Sequence, residues 1–328
     1  MSGFVSLARL ERLGKLVMIL CLNLNAAIDK TIVVSSFEID KIHRPQSVIA
    51  LAGGKGCNVA RALKTFREVP VVSGWVGGFA GQFIENELHR EGIQTDFIHT
   101  DFESRTCTSV LDPERQTLTE IYELGEPVPS VKVDELRAHI RAIIGKYRAV
   151  TLSGSLPPGV PVDFYASVIE IAREADVLTF LDSSGDALRK GAEATPFFMK
   201  PNETEAKSLL GIEPQSTIDF AQAASEISLR YKTNVLLSMG ARGAIAAQGQ
   251  AVFVIKSPAV EAKSAVGSGD CMLAGLTYGF LQGLSFQQAL IYGVAAGTAN
   301  TLMIGAGQFK IDDFERLRTE VQISTQPA

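Results

Sequence analysis

The chain has 328 residues, 46% hydrophobic and 20% charged, with 31 Lys and Arg against 36 Asp and Glu for a formal net charge of −5. That length holds one large α/β domain or two ordinary ones with a sizeable core, and the mixed, slightly acidic charge argues against nucleic acid or an anionic membrane surface as a main partner. Cys21, Cys57, Cys107 and Cys271 lack CxxC spacing, which fits a reducing, cytoplasmic setting, and His43, His89, His99 and His139 never pair at metal-ligand spacing, which sets a zinc hydrolase aside.

No apolar run approaches the roughly 18 residues that span a bilayer. Residues 1–17 carry charges through their middle and read as a cytoplasmic extension, with Met18 a candidate start. Residues 19–25 form a short apolar run ending in polar residues, the pattern of a buried strand that delivers a loop. Residues 31–34 and 48–51 are also strand-like. Gly53-Gly54-Lys55-Gly56 then opens directly into a helical pattern, Cys57-Asn58-Val59-Ala60-Arg61-Ala62-Leu63. A strand over 69–76 leads through Gly77-Gly78-Phe79-Ala80-Gly81 to a helix over 83–91. Residues 96–98, 107–111 and 117–122 are short, alternating and Thr-rich, which predicts antiparallel strands.

From about residue 133 strands alternate with helices, the strands falling at 149–153, 177–182, 197–200 and 235–238. Such alternation predicts a mostly parallel sheet covered by helices on both faces. The Thr-rich segments, about 30–52 and 95–126, form a small discontinuous β lid on that frame. Ligands of such sheets bind outside the carboxyl ends of the strands.

Three loops at those ends carry chemistry. Ser264-Ala265-Val266-Gly267-Ser268-Gly269-Asp270 precedes a long apolar, Gly-containing stretch over 271–281. A Gly-x-Gly turn at a helix start leaves backbone N–H groups open to an anion, and the helix dipole adds positive potential. Asp270 at its mouth could accept a proton from an attacking hydroxyl, or simply cap the helix. Ser238-Met239-Gly240-Ala241-Arg242-Gly243 suits nucleotide phosphate or ribose, or is a plain turn. Lys200-Pro201-Asn202-Glu203-Thr204-Glu205 could organise a hydrated Mg²⁺, or is an acidic helix start. GxxxxGK[ST], a GxGxxG after the first strand and the HRD/DFG set are all missing, which disfavours Walker ATPases, Rossmann dehydrogenases and protein kinases.

In this order, from about residue 19 to 317, the loops resemble the ribokinase-like carbohydrate kinases of the PfkB family. Gly53-Gly54-Lys55-Gly56-Cys57-Asn58-Val59-Ala60-Arg61 is similar to the family's N-terminal signature and Val266-Gly267-Ser268-Gly269-Asp270 to its C-terminal one, with Asn202-x-x-Glu205 between. Leu24-Asn25-Ala26-Ala27-Ile28-Asp29-Lys30, Ser153-Gly154-Ser155-Leu156-Pro157-Pro158-Gly159 and Leu181-Asp182-Ser183-Ser184-Gly185 resemble the hexose-phosphate kinase branch. The resemblance implies a ribokinase-like α/β domain over 18–320, followed by a tail at 321–328. It implies ATP and Mg²⁺ as co-substrates, with Asp270 as general base and Gly267, Ser268 and Gly269 as anion hole. The substrate set it implies is Asp29, Gly53, Gly54, Lys55 and Asn58 for the sugar, and Arg105 and Ser153 for the phosphate already present, with Lys41 or Arg44 as weaker additions from the lid. ATP is expected against Asn202, Ser238, Gly240 and Gly243, with Asn300 near the adenine and Glu205 reaching the metal through water. The expected reaction is phosphorylation of fructose 1-phosphate to fructose 1,6-bisphosphate. The alternatives are tagatose 6-phosphate as acceptor and, from another class, a non-catalytic sugar-phosphate or nucleotide binding module. Ala26 stands where the family often has Pro, and the segment from Glu120 to Pro127 departs from the branch's Asn-Glu-Pro-Gly run. Members of the branch commonly pair through their lids, so a homodimer is expected.

Overall fold

In the first strand, β1 (Met18–Asn23), the pleat sends Ile19 and Cys21 to one face and Leu20 and Leu22 to the other, and each side chain enters a different apolar core. A strand buried on both faces belongs at the centre of a helix-covered parallel sheet. The computed structural model, which describes residues 18–211 and 217–326, has that architecture. Residues 1–17, expected as an extension, lie outside the described residues.

The main sheet is eleven-stranded. β1 pairs parallel with β4 (Val69–Gly77) on one side and with β9 (Ala149–Ser153) on the other. Beyond β9 come β10 (Leu178–Asp182), β11 (Phe198–Met199) and β12 (Asn234–Ser238), all parallel. β13 (Ala244–Gln248), β14 (Ala251–Lys256) and β15 (Gln322–Gln326) continue the sheet antiparallel. One face is covered by α1 (Lys55–Thr65), α2 (Gly78–Arg90), α8 (Ser268–Leu281), α9 (Phe286–Thr301) and α10 (Ile311–Glu320), which contribute to one core. The other face is covered by α3 (Ser130–Ile143), α4 (Phe164–Glu174), α5 (Gly185–Glu193), α6 (Glu203–Leu210) and α7 (Thr217–Tyr231).

α8 is fixed to the sheet by aromatic packing. Phe280 lies 5.6 Å from Phe198 and 6.0 Å from Phe180, centroid to centroid, and meets Phe197 edge-on at 5.0 Å. Each such ring pair adds about 0.5–1.5 kcal/mol beyond its burial, so the helix bearing Asp270 is anchored at its far end.

The lid is a four-stranded sheet in the order β3-β2-β7-β8, formed by β2 (Ala27–Val33), β3 (Ser47–Gly53), β7 (Arg105–Asp112) and β8 (Thr117–Tyr122). Its boundaries differ from the sequence expectation. It begins at Ala27, and residues near 95 do not join it: β5 (Gln94–Thr95) and β6 (Ile98–Thr100) pair parallel with β4 at the edge of the main sheet. Ile93 and Phe97 are buried in the core beside them, and this burial outweighs the polar alternation that suggested lid. The expected tail at 321–328 is also corrected. Val321 is buried and β15 zips against β14, with Ile323 opposite Ile255. Gln322-Ile323-Ser324-Thr325-Gln326 is too polar to announce an edge strand.

Candidate active site

Strands β1, β9, β10, β11 and β12 all release their loops at the same edge of the sheet, as parallel pairing requires. Four polar side chains end up there, buried: Asn23, Ser153, Asp182 and Lys200.

Of the helices that open toward this edge, two begin at a glycine with positive φ and no side-chain cap. α1 starts at Gly54 (φ 100°) and α8 at Gly267 (φ 80°), and no side chain bonds the first-turn amides of either. Both glycines hold a left-handed conformation that L side chains avoid. A Cβ on Gly267 would also lie 2.6 Å from the Gly307 nitrogen, and one on Gly54 2.2 Å from Asn23 Oδ1. Uncapped helix starts of this kind offer N–H groups and positive potential to an anion.

Asp270 sits in the first turn of α8 and is 5% exposed. Its Oδ2 accepts a 2.8 Å hydrogen bond from Asn58 Nδ2. Burial pushes its carboxyl up from the ordinary 3.8 to about 6, against the pull of Lys55, the Asn58 bond and Lys200, while Asp182 adds to the rise. A carboxylate with a pKa just below neutrality is ionised at neutral pH yet basic enough to take a proton.

Lys55 and Lys200 bracket Asp182, with Nζ–O distances of 3.2 and 3.0 Å. Burial opposes the charge on Asp182, but the two ammoniums overcome it and hold the carboxyl below the usual range. Lys200 is 5% exposed at its side chain, and its Nζ would lie 3.3 Å from a Cβ on Gly269, so a buried cation stands against the anion turn. Asp182 and Lys200 received no role from sequence. Each is a lone charge ending an apolar strand at the ligand-binding edge, and that was the available signal.

Asp29, on β2, is pressed against Gly53: a Cβ there would be 2.2 Å from the carboxyl carbon. Burial raises its pKa despite the Gly54 amide and the charges of Arg61 and Arg105. Asp29, Gly53, Gly54, Lys55 and Asn58 are thus brought together with Asp270. Ser153 lies level with Asp182 in the β9–β10 register, and its Oγ is buried with no hydrogen-bond partner among the described residues. Arg105 turns elsewhere: its Nε and Nη2 donate to the Asn25 carbonyl at 3.3 and 3.2 Å, and its Nη1 to that of Glu123 at 2.8 Å. Lys41 and Arg44 are exposed.

Of the residues expected to meet ATP, Asn202 and Ser238 are bridged just past β11 and at the end of β12, with the Ser238 amide donating to the Pro201 carbonyl at 3.0 Å. Gly240 (φ 57°) and Gly243 (φ 94°) bound one turn of 3-10 helix after β12. Asn202 and Glu205 form a reciprocal cap on α6: Asn202 Oδ1 accepts from the Glu205 amide at 2.9 Å, and Glu205 Oε2 from the Asn202 amide at 2.8 Å. One carboxylate oxygen of Glu205 is therefore committed to the backbone. Among the described residues no three His, Cys, Asp or Glu side chains cluster as a metal cage. The donor set fits a hydrated Mg²⁺ carried by phosphates and touched through water, rather than a protein-caged ion.

The resemblance places Asn300 near the adenine. Asn300 is fully buried in α9, and its Nδ2 donates to the Gly305 and Gln308 carbonyls at 3.2 and 2.8 Å. It braces the loop whose Gly307 packs against Gly267. The four cysteines are free and buried, and burial pushes the Cys21 and Cys57 thiols up to about 12, so neither offers a thiolate near the site. A cavity of about 520 Å³ lies at the opposite end of β10–β12, lined by Leu178, Phe197 and Asn234 among others, and includes none of these loop residues.

Known proteins resemble this chain along most of its length. The family model described as pfkB family carbohydrate kinase matches residues 22–312. A tagatose-6-phosphate kinase of Staphylococcus epidermidis is 31% identical over 309 residues, which span 93% of this chain and 99% of that one. Phosphofructokinase-2 from Escherichia coli, solved in complex with potassium, has the same fold, with a TM-score of 0.85 at 23% identity over 93% of this chain and 99% of that chain. A Thermotoga maritima protein described as a possible 1-phosphofructokinase superposes with a TM-score of 0.84 at 25% identity, over 94% of this chain and 99% of that chain.

Proposed function

The chain belongs to the pfkB family of carbohydrate kinases, and from that premise we propose that it transfers the terminal phosphoryl group of ATP to a free hydroxyl of a hexose phosphate. The observation that carries this reading is Asp270: a buried carboxylate with a pKa near 6, at the mouth of an uncapped Gly-x-Gly helix start and beside the Lys55–Asp182–Lys200 cluster.

In this reading the acceptor hydroxyl donates to Asp270, which takes its proton as the oxygen attacks the γ-phosphorus and the bond from that phosphorus to the bridging oxygen breaks, releasing ADP. The open amides around Gly267, Ser268 and Gly269, with Lys200 behind them, offset the negative charge on the moving phosphoryl group. Glu205 would hold a hydrated Mg²⁺ through water, and the ion would supply neutralisation of phosphate charge. Asp29, held by the Gly54 amide, binds sugar hydroxyls where Gly53 and Gly54 leave the backbone open to approach, and the second N–H of the Asn58 amide remains available to them. Lys55, beside Gly154 and bonded to Asp182, and Ser153, level with Asp182, serve the phosphate on the acceptor, with Arg105 swinging from its carbonyl contacts to join them. Asn202, Ser238, Gly240 and Gly243 line the ATP side.

Two acceptors stand level. The relative named tagatose-6-phosphate kinase favours tagatose 6-phosphate, and the Thermotoga neighbour favours fructose 1-phosphate. Coupled ADP release with MgATP, run against both sugars, fructose 6-phosphate and ribose, decides between them. One hexose phosphate should be strongly preferred, and Asp270→Asn should lower kcat by about 10²–10⁴-fold. ATP binding without turnover on any of the four would overturn the assignment. We further infer a homodimer joined through the lid sheets.

A further inference from the structure

The amide that holds the base is itself held. Asn58 Nδ2 donates to Asp270 Oδ2 at 2.8 Å, and Asn58 Oδ1 accepts from Arg61 Nη1 at 3.2 Å. Arg61, one turn further along α1, is 5% exposed at its side chain. Glu91 grips it through two bonds, Nε–Oε2 at 2.6 Å and Nη2–Oε1 at 2.9 Å, and the Ala52 carbonyl takes Nη2 at 2.5 Å. Glu91 lies just past the end of α2, with 23% of its side chain exposed. A continuous chain of polar contacts therefore runs from the end of α2, through α1, to the first turn of α8.

The chemistry of this chain has a direction. A primary amide donates from one end and accepts at the other, whereas a guanidinium only donates. Arg61 can therefore satisfy only the oxygen of Asn58, which turns the NH₂ toward Asp270. The reverse orientation would set an amide NH₂ against a guanidinium and a carbonyl oxygen against a carboxylate, repulsive at both ends. Resting on the reading of Asp270 as the base, we propose that Arg61, locked by Glu91, is a positioning residue for phosphoryl transfer: it fixes the Asn58 amide so that its donor end holds Asp270 in the reactive orientation.

The charged groups facing Asp270 are Lys55 on α1, Asp182 at the end of β10 and Lys200 after β11, and Glu91 is not among them. Removing the Glu91 charge acts on Asp270 in two opposite ways. By field alone, losing a negative charge lowers the Asp270 pKa. Through the contacts, freeing Arg61 loosens the amide that stabilises the carboxylate and raises it. The sign of the shift separates the two.

The experiment is the pH profile of kcat for the wild type and Glu91→Ala, each repeated with Asn58→Ala in the background. Glu91→Ala should move the acid limb up by about half a pH unit or more, lower kcat at pH 6.5 several-fold and leave KM for ATP within about twofold. Glu91→Gln, which keeps one neutral acceptor for Arg61, should recover part of the loss. With Asn58→Ala present, Glu91→Ala should shift nothing further. No shift, a downward shift, or the same upward shift without Asn58 would overturn the proposal, even if thermal denaturation shows Glu91→Ala to be less stable. The Asp270 carboxyl ¹³C titration in the unliganded protein, assigned by the signal missing from Asp270→Asn, reads the same shift without turnover. An enzyme inactive on every sugar phosphate whose Asp270 titration still follows Glu91 would fail the kinase reading and keep the positioning one.

Discussion

Asp270 is a buried acid whose charge costs stability. Its carboxyl is raised from 3.8 to about 6, chiefly by burial, so between about pH 4 and pH 6 the folded chain binds more protons than the unfolded one. Stability contributed by this group therefore falls as pH rises through that window and stays at its lower level above it. Asp270→Asn removes the charge but keeps an oxygen that can accept from Asn58. The variant should lose phosphoryl transfer while its Tm at pH 8 exceeds that of the wild type by about 2–5 °C. The two melting curves should converge below pH 4. Equal or lower Tm for the variant at pH 8 would show that Lys55 and Lys200 already compensate the buried charge. Asp182 is the counter-case in the same cluster. It too is buried, but its two lysines hold it ionised, and a lone buried charge without such partners is costly. One acid is kept ready to accept a proton while its neighbour is kept from doing so.

At the scale of elements, the helix starts at the site are set apart by an N-cap glycine with positive φ and no side-chain cap. α6 and α9 close their own first turns with reciprocal caps, Asn202 with Glu205 and Ser285 with Gln288. α1 and α8 begin at glycines with no side-chain cap, and these are the two that meet at the site. This division was legible in sequence, because a Gly-rich turn leading straight into a helical pattern leaves the amides no local partner. So were the parallel frame and the position of Asp270. The Lys55–Asp182–Lys200 cluster was not, because its members lie on three elements far apart in the chain and no local periodicity marks a buried ion pair. Arg105 was legible as a cation near the lid but not as a ligand of two carbonyls, since a guanidinium's partners are set by the loops around it. β13 and β15 escaped because Ala, Gln, Ser and Thr hide strand alternation, whereas β14, with Val252-Phe253-Val254-Ile255, carries a plain strand signal. β15 carries a prediction. It covers the edge of β14, whose partner β13 is buried, and truncation after Glu320 would expose the unpaired β14 edge and uncover Ile255 and Phe253. An open apolar edge invites intermolecular pairing. The truncated chain should melt at lower temperature and scatter light on heating where the full chain does not. An unchanged melt would mean that β15 adds nothing to the sheet.

At the scale of the molecule, the lid is the element that leaves apolar side chains facing water. β8 is exposed along its whole length and the first half of β3 likewise. The β2 register sets Asp29 beside Leu51 and Cys107, and the pleat puts Ile49, Leu118 and Tyr122 on that same face. These three are 46%, 45% and 54% exposed. Water-facing apolar groups on a thin sheet with two free edges are an aggregation hazard unless something covers them. A second copy of the chain is the occupant that closes symmetrically, since the same patch serves both sides of a two-fold axis. Light scattering on the eluting protein at tens of micromolar should therefore report a dimer, and Ile49→Glu combined with Leu118→Glu should give a monomer. Asp29 shares the face that the dimer would cover, whereas Asn202, Ser238 and Gly240 lie on the main sheet. The monomeric variant should thus show a KM for the sugar phosphate raised by about tenfold, with KM for ATP nearly unchanged. A wild-type monomer at that concentration would refute the dimer, and equal loss of both affinities in the variant would show that pairing supports the whole fold rather than the sugar side of the site.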